Sequence, residues 1–385
     1  MGKYIIHQIN LSNIGGVQKT YIDYIKYAVH HSKYSHKAYG FSKIDPEYGS
    51  VDSYKSMSGS FTTKIVFLKH LYSENSIVHF YNNIGSKKLE YILKYLPSRK
   101  VIVHERGRAW NVKSIEKNIY NFIVDKATLV LANSDACKIL LQKKFGIDSK
   151  KIIRIHNGIY FPEAKPRNDH LMEGSKEKKI GFIGRLDNHK GANIFIKTAE
   201  ILKRHKDIKF IVAGDGPLFY QLLQTGREIK NLEFVGRVSD PFKFISDLDI
   251  LVVPSIREPL GNVCIEAGFC KTPVIASMID GIPEIIEDGV SGKLIAPTKK
   301  VNHDNLPVGA TPLPEYVVQP QTGELVEPLE IDPEELADVI LETLANPERA
   351  RTFSDNLHGK VIRYFTVERY ASELELIYDR VFGDA

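Results

Sequence analysis

The stretch ILVVPSIREPLGNVCIEAGFC, residues 250–270, decides the fold of this 385-residue chain. Its opening apolar run, up to Ser255, is typical of a parallel strand that is buried on both faces. A Pro-Leu-Gly loop follows the strand, and the residues from Gly261 onward indicate a helix. A buried strand that leads directly into a helix is the repeating unit of doubly wound α/β folds. The same unit places two carboxylates, Glu258 and Glu266, beyond the carboxyl end of the strand.

Strand-helix units of this kind recur in two series along the chain. Apolar strands are predicted at residues 4–10, 36–42, 76–81, 100–105, 128–134 and 151–157, and then at 178–184, 208–214, 232–236, 250–255 and 272–277. Amphipathic helices lie between most of them. This alternation predicts an α/β protein with two doubly wound domains, each built on a parallel sheet. Such sheets bind ligands beyond the carboxyl ends of their strands, so we expect the chemistry in a cleft between the two domains.

Interruptions of the alternation indicate the domain boundaries. A polar segment with Pro and Gly, residues 160–178, predicts a linker, so we expect one domain over residues 1–165 and another over 176–365. Residues 366–385 are expected to form a helix that packs back on the first domain. A second interruption, residues 298–322, is rich in Pro and longer than loops usually are. We interpret it as an inserted loop, which would serve either as a lid or specificity element or as a disordered decoration.

Composition excludes several classes of protein. Hydrophobic residues make up 43% and charged residues 26% of the chain, as in ordinary globular proteins. The sequence has no run of about 18 apolar residues that would span a membrane, and its first residues lack the features of a signal peptide. Three cysteines, Cys137, Cys264 and Cys270, give neither a disulfide framework nor metal-ligand spacing. We therefore expect a cytoplasmic protein, free or peripheral on the inner face of the cytoplasmic membrane.

Charge is distributed unevenly between the two halves. Residues 1–170 contain 27 Lys and Arg against 13 Asp and Glu, whereas the remainder contains 25 against 34. The basic half is expected to meet an anionic partner. Because its lysines are mixed with tyrosines and aliphatic residues at helical spacing, an anionic membrane surface is favoured over nucleic acid. Residues 87–100 show the pattern of an interfacial helix, although an ordinary surface helix has the same pattern.

Two loops that follow predicted strands contain groups suited to a phosphate. In NLSNIGGVQKT, residues 10–20, Gly15 and Gly16 precede a helix, so backbone amides and the helix dipole would face an anion. In GRLDNHKG, Arg185 and Lys190 stand beside another helix start, which suits a diphosphate. Taken singly, the first loop is equally well explained as a tight turn and the second as a solvated basic loop.

Of two further loops, one has glycines that allow a ligand to approach the backbone, and the other contains two carboxylates. In AGDGPL, Gly214 and Gly216 allow a ligand to come close to the backbone, although a plain turn has the same pattern. In the opening stretch, Glu266 lies five residues after Gly261, about 7.5 Å along the helix axis. That span suits a nucleotide sugar whose phosphates lie at the helix N-terminus. Acidic residues near a helix start also serve simply to balance the helix dipole.

The four loops in this order resemble the retaining GT-B glycosyltransferases, in particular glycosyltransferase family 4. The Glu-x7-Glu signature of that family matches Glu258 and Glu266, its Gly-Arg-Leu…Lys-Gly loop matches residues 184–191, and its Gly-Asp-Gly-Pro turn matches residues 214–217. GIPEIIEDGVSGKLI, residues 281–295, is similar to the family's segment after the signature helix. The resemblance covers nearly the whole second half of the chain.

The resemblance implies a fold and an activity. The fold would be α/β with GT-B architecture, two Rossmann-like doubly wound domains facing a central cleft. The activity would be transfer of a sugar, with retention at the anomeric carbon, from a nucleotide sugar, with a UDP-sugar favoured. The acceptor would be a glycan or lipid-linked molecule of bacterial lipopolysaccharide, capsule or exopolysaccharide synthesis. No nucleic acid partner, cofactor or metal is expected.

The resemblance also implies residue roles. Arg185 and Lys190 would neutralise the departing diphosphate, Glu258 would bind hydroxyls of the donor sugar, and Glu266 would bind the ribose. His104 matches a histidine of the family that lies beside the donor sugar, although a hydrogen-bonded structural histidine fits the same position. The implied donor-binding residues are Gly15, Gly16, Arg185, Lys190, Gly214, Gly216, Glu258, Leu260, Gly261, Asn262, Val263 and Glu266; the implied catalytic residues are Glu258, His104, Arg185 and Lys190.

Two departures from the family's pattern affect these expectations. The signature reads Glu-Pro-Leu-Gly where many relatives have Glu-Gly-Phe-Gly. Because Pro259 has no backbone N–H, its contacts to the donor sugar would differ, so the identity of that sugar is left open. Asp247 and Asp249 spell the metal-binding D-x-D of another fold, but neutralisation of the diphosphate by lysine and arginine makes a metal unnecessary.

Two alternatives to a transferase remain. One is a GT-B enzyme such as a nucleotide-sugar epimerase, and the other is a non-catalytic sugar- or lipid-binding subunit.

Overall fold

The computed structural model describes residues 2–12, 15–82, 90–91, 93–94, 100–113, 116–163, 177–301 and 307–383. The chain divides into two compact units, which we describe separately. Unit 1 comprises Met1–Phe161 and Phe365–Ala385, and unit 2 comprises Pro162–Tyr364. Most of the predicted linker and most of the predicted interfacial helix at residues 87–100 lie outside the described residues.

Unit 1 is built on a parallel sheet. Within the described residues its strands are β1 (Tyr4–Gln8), β2 (Ser35–Gly40), β3 (Tyr54–Ser56), β4 (Ser76–Tyr81), β5 (Val101–Glu105), β6 (Leu129–Ala132) and β7 (Ile152–Arg154), in the order β3-β2-β1-β4-β5-β6-β7. Four of its helices are α1 (Gly16–His31), α2 (Phe61–Leu71), α3 (Lys117–Lys126) and α4 (Asp135–Phe145). Every residue of β4 and β5 is buried, as expected of central strands in a sheet covered on both faces.

Unit 2 repeats this architecture. Its main sheet consists of β8 (Lys178–Ile183), β9 (Ile208–Ala213), β10 (Leu232–Gly236), β11 (Ile250–Val253), β12 (Val274–Ser277) and β13 (Lys293–Ile295), in the parallel order β10-β9-β8-β11-β12-β13. Its described helices are α5 (Ala192–Ile201), α6 (Phe219–Gly226), α7 (Pro241–Ser246), α8 (Asn262–Phe269), α9 (Ile282–Ile285), α10 (Pro333–Ala345) and α11 (Pro347–Tyr364). The strand order reverses between β8 and β11, which is where doubly wound sheets bind ligands.

The described part of the insertion is folded. Antiparallel pairing joins β14 (Lys299–Lys300) to β17 (Leu329–Glu330) and β15 (Val317–Gln319) to β16 (Glu324–Val326). Val317 and Val318 are each 1% exposed, and Leu313 packs against the core of unit 2. Burial of these apolar side chains stabilises the segment on the rest of the unit. Residues 307–326 are therefore an integral part of unit 2.

The last helix, α12 (Val367–Phe382), belongs to unit 1. The chain returns to this unit through hydrogen bonds between Ile159 and both Phe365 and Val367. Apolar and aromatic residues of α12, such as Leu374 and Tyr378, are fully buried in the same core as α1. No helix within the described ranges is both long and apolar enough to cross a membrane.

Candidate functional site

Two loops of unit 2 lie side by side at the carboxyl edge of the sheet, because they follow the adjacent central strands β8 and β11. The first loop, residues 184–191, contains the predicted cations. The second, residues 254–261, contains the first signature carboxylate. Their backbones are hydrogen-bonded, since the Ile256 amide donates to the His189 carbonyl at 2.9 Å. The topology thus brings together residues that are about 70 positions apart in the sequence.

Gly191 permits this close approach. Its φ of +72° lies in the left-handed region, and a Cβ built there would stand only 1.9 Å from the Pro254 carbonyl oxygen. No side chain fits in that space, and residues other than glycine rarely adopt that conformation. The glycine after Lys190 is therefore required for the two loops to touch.

An ion pair joins the same two loops. The Lys190 Nζ atom lies 2.6 Å from Oε2 of Glu258, and the Ser255 hydroxyl donates to the same oxygen at 3.3 Å. The Glu258 side chain is 9% exposed and that of Lys190 is 26% exposed. A charge-assisted hydrogen bond that is partly shielded from water is stronger than a surface ion pair. The pair therefore fixes a cation and a carboxylate side by side at the strand ends.

Arg185 adds a second cation to this edge of the sheet. Its side chain is 62% exposed, and its Nε atom lies 3.4 Å from a carboxylate oxygen of Asp187. The Asp187 side chain is 1% exposed and also accepts a hydrogen bond from the Asn188 amide at 2.9 Å. A buried carboxylate thus tethers an exposed guanidinium group that remains accessible to an anionic ligand.

A third loop, residues 213–218, packs against the first. A Cβ on Gly214 would lie 1.8 Å from the carbonyl oxygen of Gly184, so the two backbones are in direct contact. The Leu186 amide donates to the Asp215 carbonyl at 2.9 Å, and the Leu218 amide donates to the Leu186 carbonyl at 3.0 Å. Three loops therefore form one hydrogen-bonded layer at the carboxyl edge of the sheet.

Helix α8 begins at this layer. Gly261 precedes its first residue, Asn262, and the next residue, Val263, is half-buried like Asn262. Backbone amides in the first turn of a helix point away from the helix and attract anions. Leu260 is buried beside them, and Glu266 is buried within the helix.

A buried cysteine of α8, Cys264, lies near the charged groups of the site. Its buried thiol is close enough to Glu258, Lys190 and Glu266 to be influenced by the charge of each. Burial, followed by the negative charge of Glu258, raises the pKa of this thiol above its ordinary value. The thiol therefore stays protonated at neutral pH and is not a nucleophile. All the predicted residues of unit 2 lie in the three loops or in α8.

Two buried carboxylates in this region were not singled out from the sequence. Asp187 lies inside the GRLDNHKG motif, where only the cations were considered. Asp280 is 2% exposed and lies immediately before residues 281–295, the segment that resembles the family. The Asp-Gly dipeptide at 280–281 is a turn signal that points to a special backbone conformation, and φ of Asp280 is +45°.

The predicted residues of unit 1 are placed differently. Gly15 and Gly16 stand at the start of α1, where the Lys19 amide donates to the Gly15 carbonyl at 2.9 Å. The Gly15 amide itself donates to the Tyr48 hydroxyl at 3.4 Å. This pair of glycines thus lies at a strand-to-helix turn, and its contact with a phosphate stays a prediction.

His104 lies in the interior of unit 1. Its ring is fully buried, and its Nδ1 atom is 3.3 Å from Nε2 of His79. The Nδ1 atom of His79 pairs with the Tyr378 hydroxyl at 2.9 Å, and His7 pairs with His36 at 2.9 Å. A group that acts on a donor sugar needs an accessible surface, which His104 lacks. The structural alternative fits this environment, so we leave His104 out of the catalytic groups proposed below.

Burial keeps these four histidines neutral. It lowers the pKa of His7, His79 and His104 well below the ordinary value, and it lowers the pKa of His36 to about 4. In the unfolded chain each ring would titrate near its ordinary pKa of 6.5. Below that pH the unfolded state binds protons that the folded state does not, so acid favours unfolding.

We expect the free energy of unfolding of unit 1 to fall as the pH drops below about 6.5. Above that pH the buried histidines should not change it. The loss is about 1.4 kcal/mol for each buried histidine at pH 5.5. Urea unfolding followed through Trp110, the single tryptophan and a buried residue of unit 1, measures it. His36→Leu is expected to reduce the difference between pH 7.5 and 5.5. An equal free energy of unfolding at both pH values would contradict the account.

Comparison with known proteins identifies the second half of the chain. Residues 177–303, which begin just before β8 and include all three loops, match the family model described as Glycosyl transferases group 1. The GPI3 subunit of phosphatidylinositol N-acetylglucosaminyltransferase from Saccharomyces cerevisiae strain RM11-1a is 29% identical over 191 residues. The match covers 46% of this chain and 41% of the yeast protein, so the chain spans less than half the length of that relative.

Solved structures extend the likeness to the whole chain. Anabaena Alr3699/HepE, in complex with UDP and glucose, has a TM-score of 0.74 at 18% identity and covers 98% of this chain and 100% of its own. The lipopolysaccharide outer core galactosyltransferase WaaB, in its apo form, has a TM-score of 0.65 at 17% identity, covering 98% and 99%. This likeness shows the fold, and it confirms the predicted GT-B architecture of two Rossmann-like domains. The family match over residues 177–303 points to the class of group 1 glycosyltransferases.

Proposed function

We propose that the protein is a retaining glycosyltransferase of family 4 that moves a sugar from a nucleotide sugar, with a UDP-sugar favoured. The observation behind this proposal is the Lys190–Glu258 ion pair at the switch point of the unit 2 sheet, with Arg185 nearby. A diphosphate requires cations, and sugar hydroxyls require acceptors, so this pair offers both kinds of partner side by side. The match to group 1 glycosyltransferases over residues 177–303 and the UDP held by Alr3699/HepE support it.

Catalysis in this proposal is mainly electrostatic. When the bond between the anomeric carbon and the phosphate oxygen breaks, negative charge grows on the diphosphate. Lys190 and Arg185 stabilise that charge, and the amide groups of Gly261, Asn262 and Val263 at the start of α8 add to the stabilisation. Because these groups neutralise the leaving diphosphate, we propose a reaction that needs neither a metal ion nor a cofactor.

The signature carboxylates bind rather than attack in this proposal. Glu258 already accepts hydrogen bonds from Lys190 and Ser255, so we assign it to hydroxyls of the donor sugar. Glu266, buried in α8, is assigned to the ribose. The acceptor hydroxyl attacks on the face from which the diphosphate leaves, and a phosphate oxygen takes its proton. This route retains the anomeric configuration without a protein nucleophile.

The acceptor is proposed to be a glycan or a lipid-linked molecule of bacterial lipopolysaccharide, capsule or exopolysaccharide synthesis, at an anionic membrane surface. Helix α2 of the basic unit 1 supports this part of the proposal. Its outer face exposes a stripe of apolar residues, Phe61, Ile65, Leu68 and the following Tyr72, which are 75%, 37%, 44% and 50% exposed. Lys64 and Lys69 are exposed on either side of the stripe, which is the pattern of an interfacial helix.

Nucleotide release from a panel of UDP-, GDP- and ADP-sugars tests the activity. We expect one donor to be hydrolysed slowly without acceptor, and Lys190→Ala and Glu266→Ala each to lower that rate at least about tenfold. Lys203→Ala and Glu200→Ala remove an exposed ion pair of the same unit and are matched controls that should leave the rate unchanged.

Three outcomes would contradict this proposal. Unchanged rates in Lys190→Ala and Glu266→Ala would indicate a non-catalytic binding subunit. Formation of a new nucleotide sugar, with no free nucleotide, would indicate an epimerase. Absence of turnover and of binding across the whole panel would exclude a nucleotide-sugar donor.

Flotation with liposomes at low salt tests the membrane surface. We expect the wild-type chain to float with vesicles that contain anionic lipid and not with neutral vesicles. Leu68→Ser should reduce the bound fraction several-fold by removing apolar area from the stripe, whereas Leu376→Ser is a matched control at a 67% exposed leucine of α12. Equal binding by the two variants, or no binding of the wild type, would contradict the role of α2.

A further inference from the structure

The insertion contacts the first loop of the candidate site through Asp187. The Thr311 amide donates to Oδ1 of this carboxylate at 2.7 Å, and the Thr311 hydroxyl donates to Oδ2 at 2.5 Å. The other groups at the same carboxylate are the Asn188 amide and the Arg185 guanidinium, both from the first loop. One buried carboxylate therefore joins the insertion to the loop that contains both cations.

A second buried carboxylate joins the insertion to the second loop. Oδ2 of Asp280 accepts a hydrogen bond from the Glu258 amide at 2.9 Å, and Oδ1 accepts one from the Val318 amide at 2.7 Å. Backbone bonds reinforce both contacts, because the Asp280 amide donates to the Val318 carbonyl and the Gly281 amide donates to the Glu258 carbonyl. Asp280 thus connects the residue that holds Lys190 to strand β15 of the insertion.

These contacts are energetically significant because both carboxylates are almost completely buried. Asp187 is 1% exposed and Asp280 is 2% exposed. A buried ionised carboxylate is tolerated only when it is well hydrogen-bonded, so loss of one donor is costly. In both cases part of the donor set comes from the site and part from the insertion. Neither loop retains its full set of partners unless the insertion is docked.

We infer that the described part of the insertion, residues 307–322, positions the donor site, and that Asp187 and Asp280 are the positioning residues through which it acts. The identity of the ligand rests on the proposed function. The hydrogen bonds from Thr311 to Asp187 hold the loop that contains Arg185 and Lys190. The hydrogen bond from Val318 to Asp280 holds the loop that contains Glu258. Because coupling between two equilibria is reciprocal, a nucleotide that binds these loops must also stabilise the docked insertion.

Two variants separate the contacts, and each has a matched control. Asp280→Asn replaces one acceptor oxygen by an amide donor, while asparagine still tolerates the positive φ at this position. Its control is Asp240→Asn, at an exposed helix N-cap of the same unit where asparagine caps equally well. Thr311→Val removes only the hydroxyl donor to Asp187. Its control is Thr322→Val, which removes an exposed hydroxyl of the β15–β16 turn that donates to the Gln319 side chain and accepts from the Glu324 amide.

Amide hydrogen exchange of the full-length protein without ligand is the first measurement. We expect Asp280→Asn to speed exchange about tenfold both in peptides that contain Val318 and in peptides that contain Glu258. Thr311→Val should have a smaller effect, of a few-fold, on peptides around Thr311 and residues 184–191. The two control variants should exchange as the wild type does. Exchange that rises in the insertion alone would overturn the positioning role.

Titration with UDP is the second measurement. We expect UDP to slow exchange in residues 307–319 of the wild type, and we expect its affinity to fall about tenfold in Asp280→Asn and a few-fold in Thr311→Val. UDP affinities equal to those of the controls would overturn the inference. The exchange measurement needs no ligand, so it decides the positioning role even if the wild type binds no UDP. That result would count against the proposed function alone.

Discussion

The site depends on the close contact of two peptide loops at the switch point of the unit 2 sheet. Gly191 meets the Pro254 carbonyl where no side chain fits, and the Lys190–Glu258 pair closes across the same contact. The parallel order of β8 and β11 creates this proximity, because both loops must leave the sheet at the same edge. Any change that separates the backbones also separates the cation from its carboxylate. The placement of the proposed catalytic groups of unit 2 therefore rests on this contact.

Buried carboxylates keep the exposed cations in place. Arg185 is mostly exposed and on its own would sample many rotamers, but Asp187 beneath it limits them. Glu258 is held through its backbone amide by Asp280, from a segment more than 20 residues further along the chain. Both aspartates are also bonded to the insertion. The groups proposed to meet the diphosphate and the donor sugar are therefore positioned by buried residues, as efficient electrostatic stabilisation requires.

The sequence predicted the architecture because apolar runs and glycine-containing loops are local signals. The strands before and after Gly191 and the two signature carboxylates could be recognised in the sequence without knowing which distant residues they contact in the fold. Asp280 could not be predicted, since its second partner, Val318, lies 38 residues away in a segment without periodicity. His104 was assigned to the site because it matches a histidine that lies beside the donor sugar in the family that the sequence resembles. Its ring lies 5.4 Å from that of His79 and 6.4 Å from that of Tyr370, a residue of α12 more than 260 positions later.

The affinity of the wild type, Lys190→Met and Glu258→Gln for UDP tests the central claim most directly. In our account Lys190 interacts with both Glu258 and the diphosphate, and of these two residues the lysine alone touches the phosphates. Lys190→Met should therefore weaken UDP binding at least about tenfold. Glu258→Gln should bind UDP as tightly as the wild type or more tightly, yet lose transfer of the sugar. If Glu258→Gln weakened UDP binding as much as Lys190→Met, the division of roles between cation and carboxylate would be wrong.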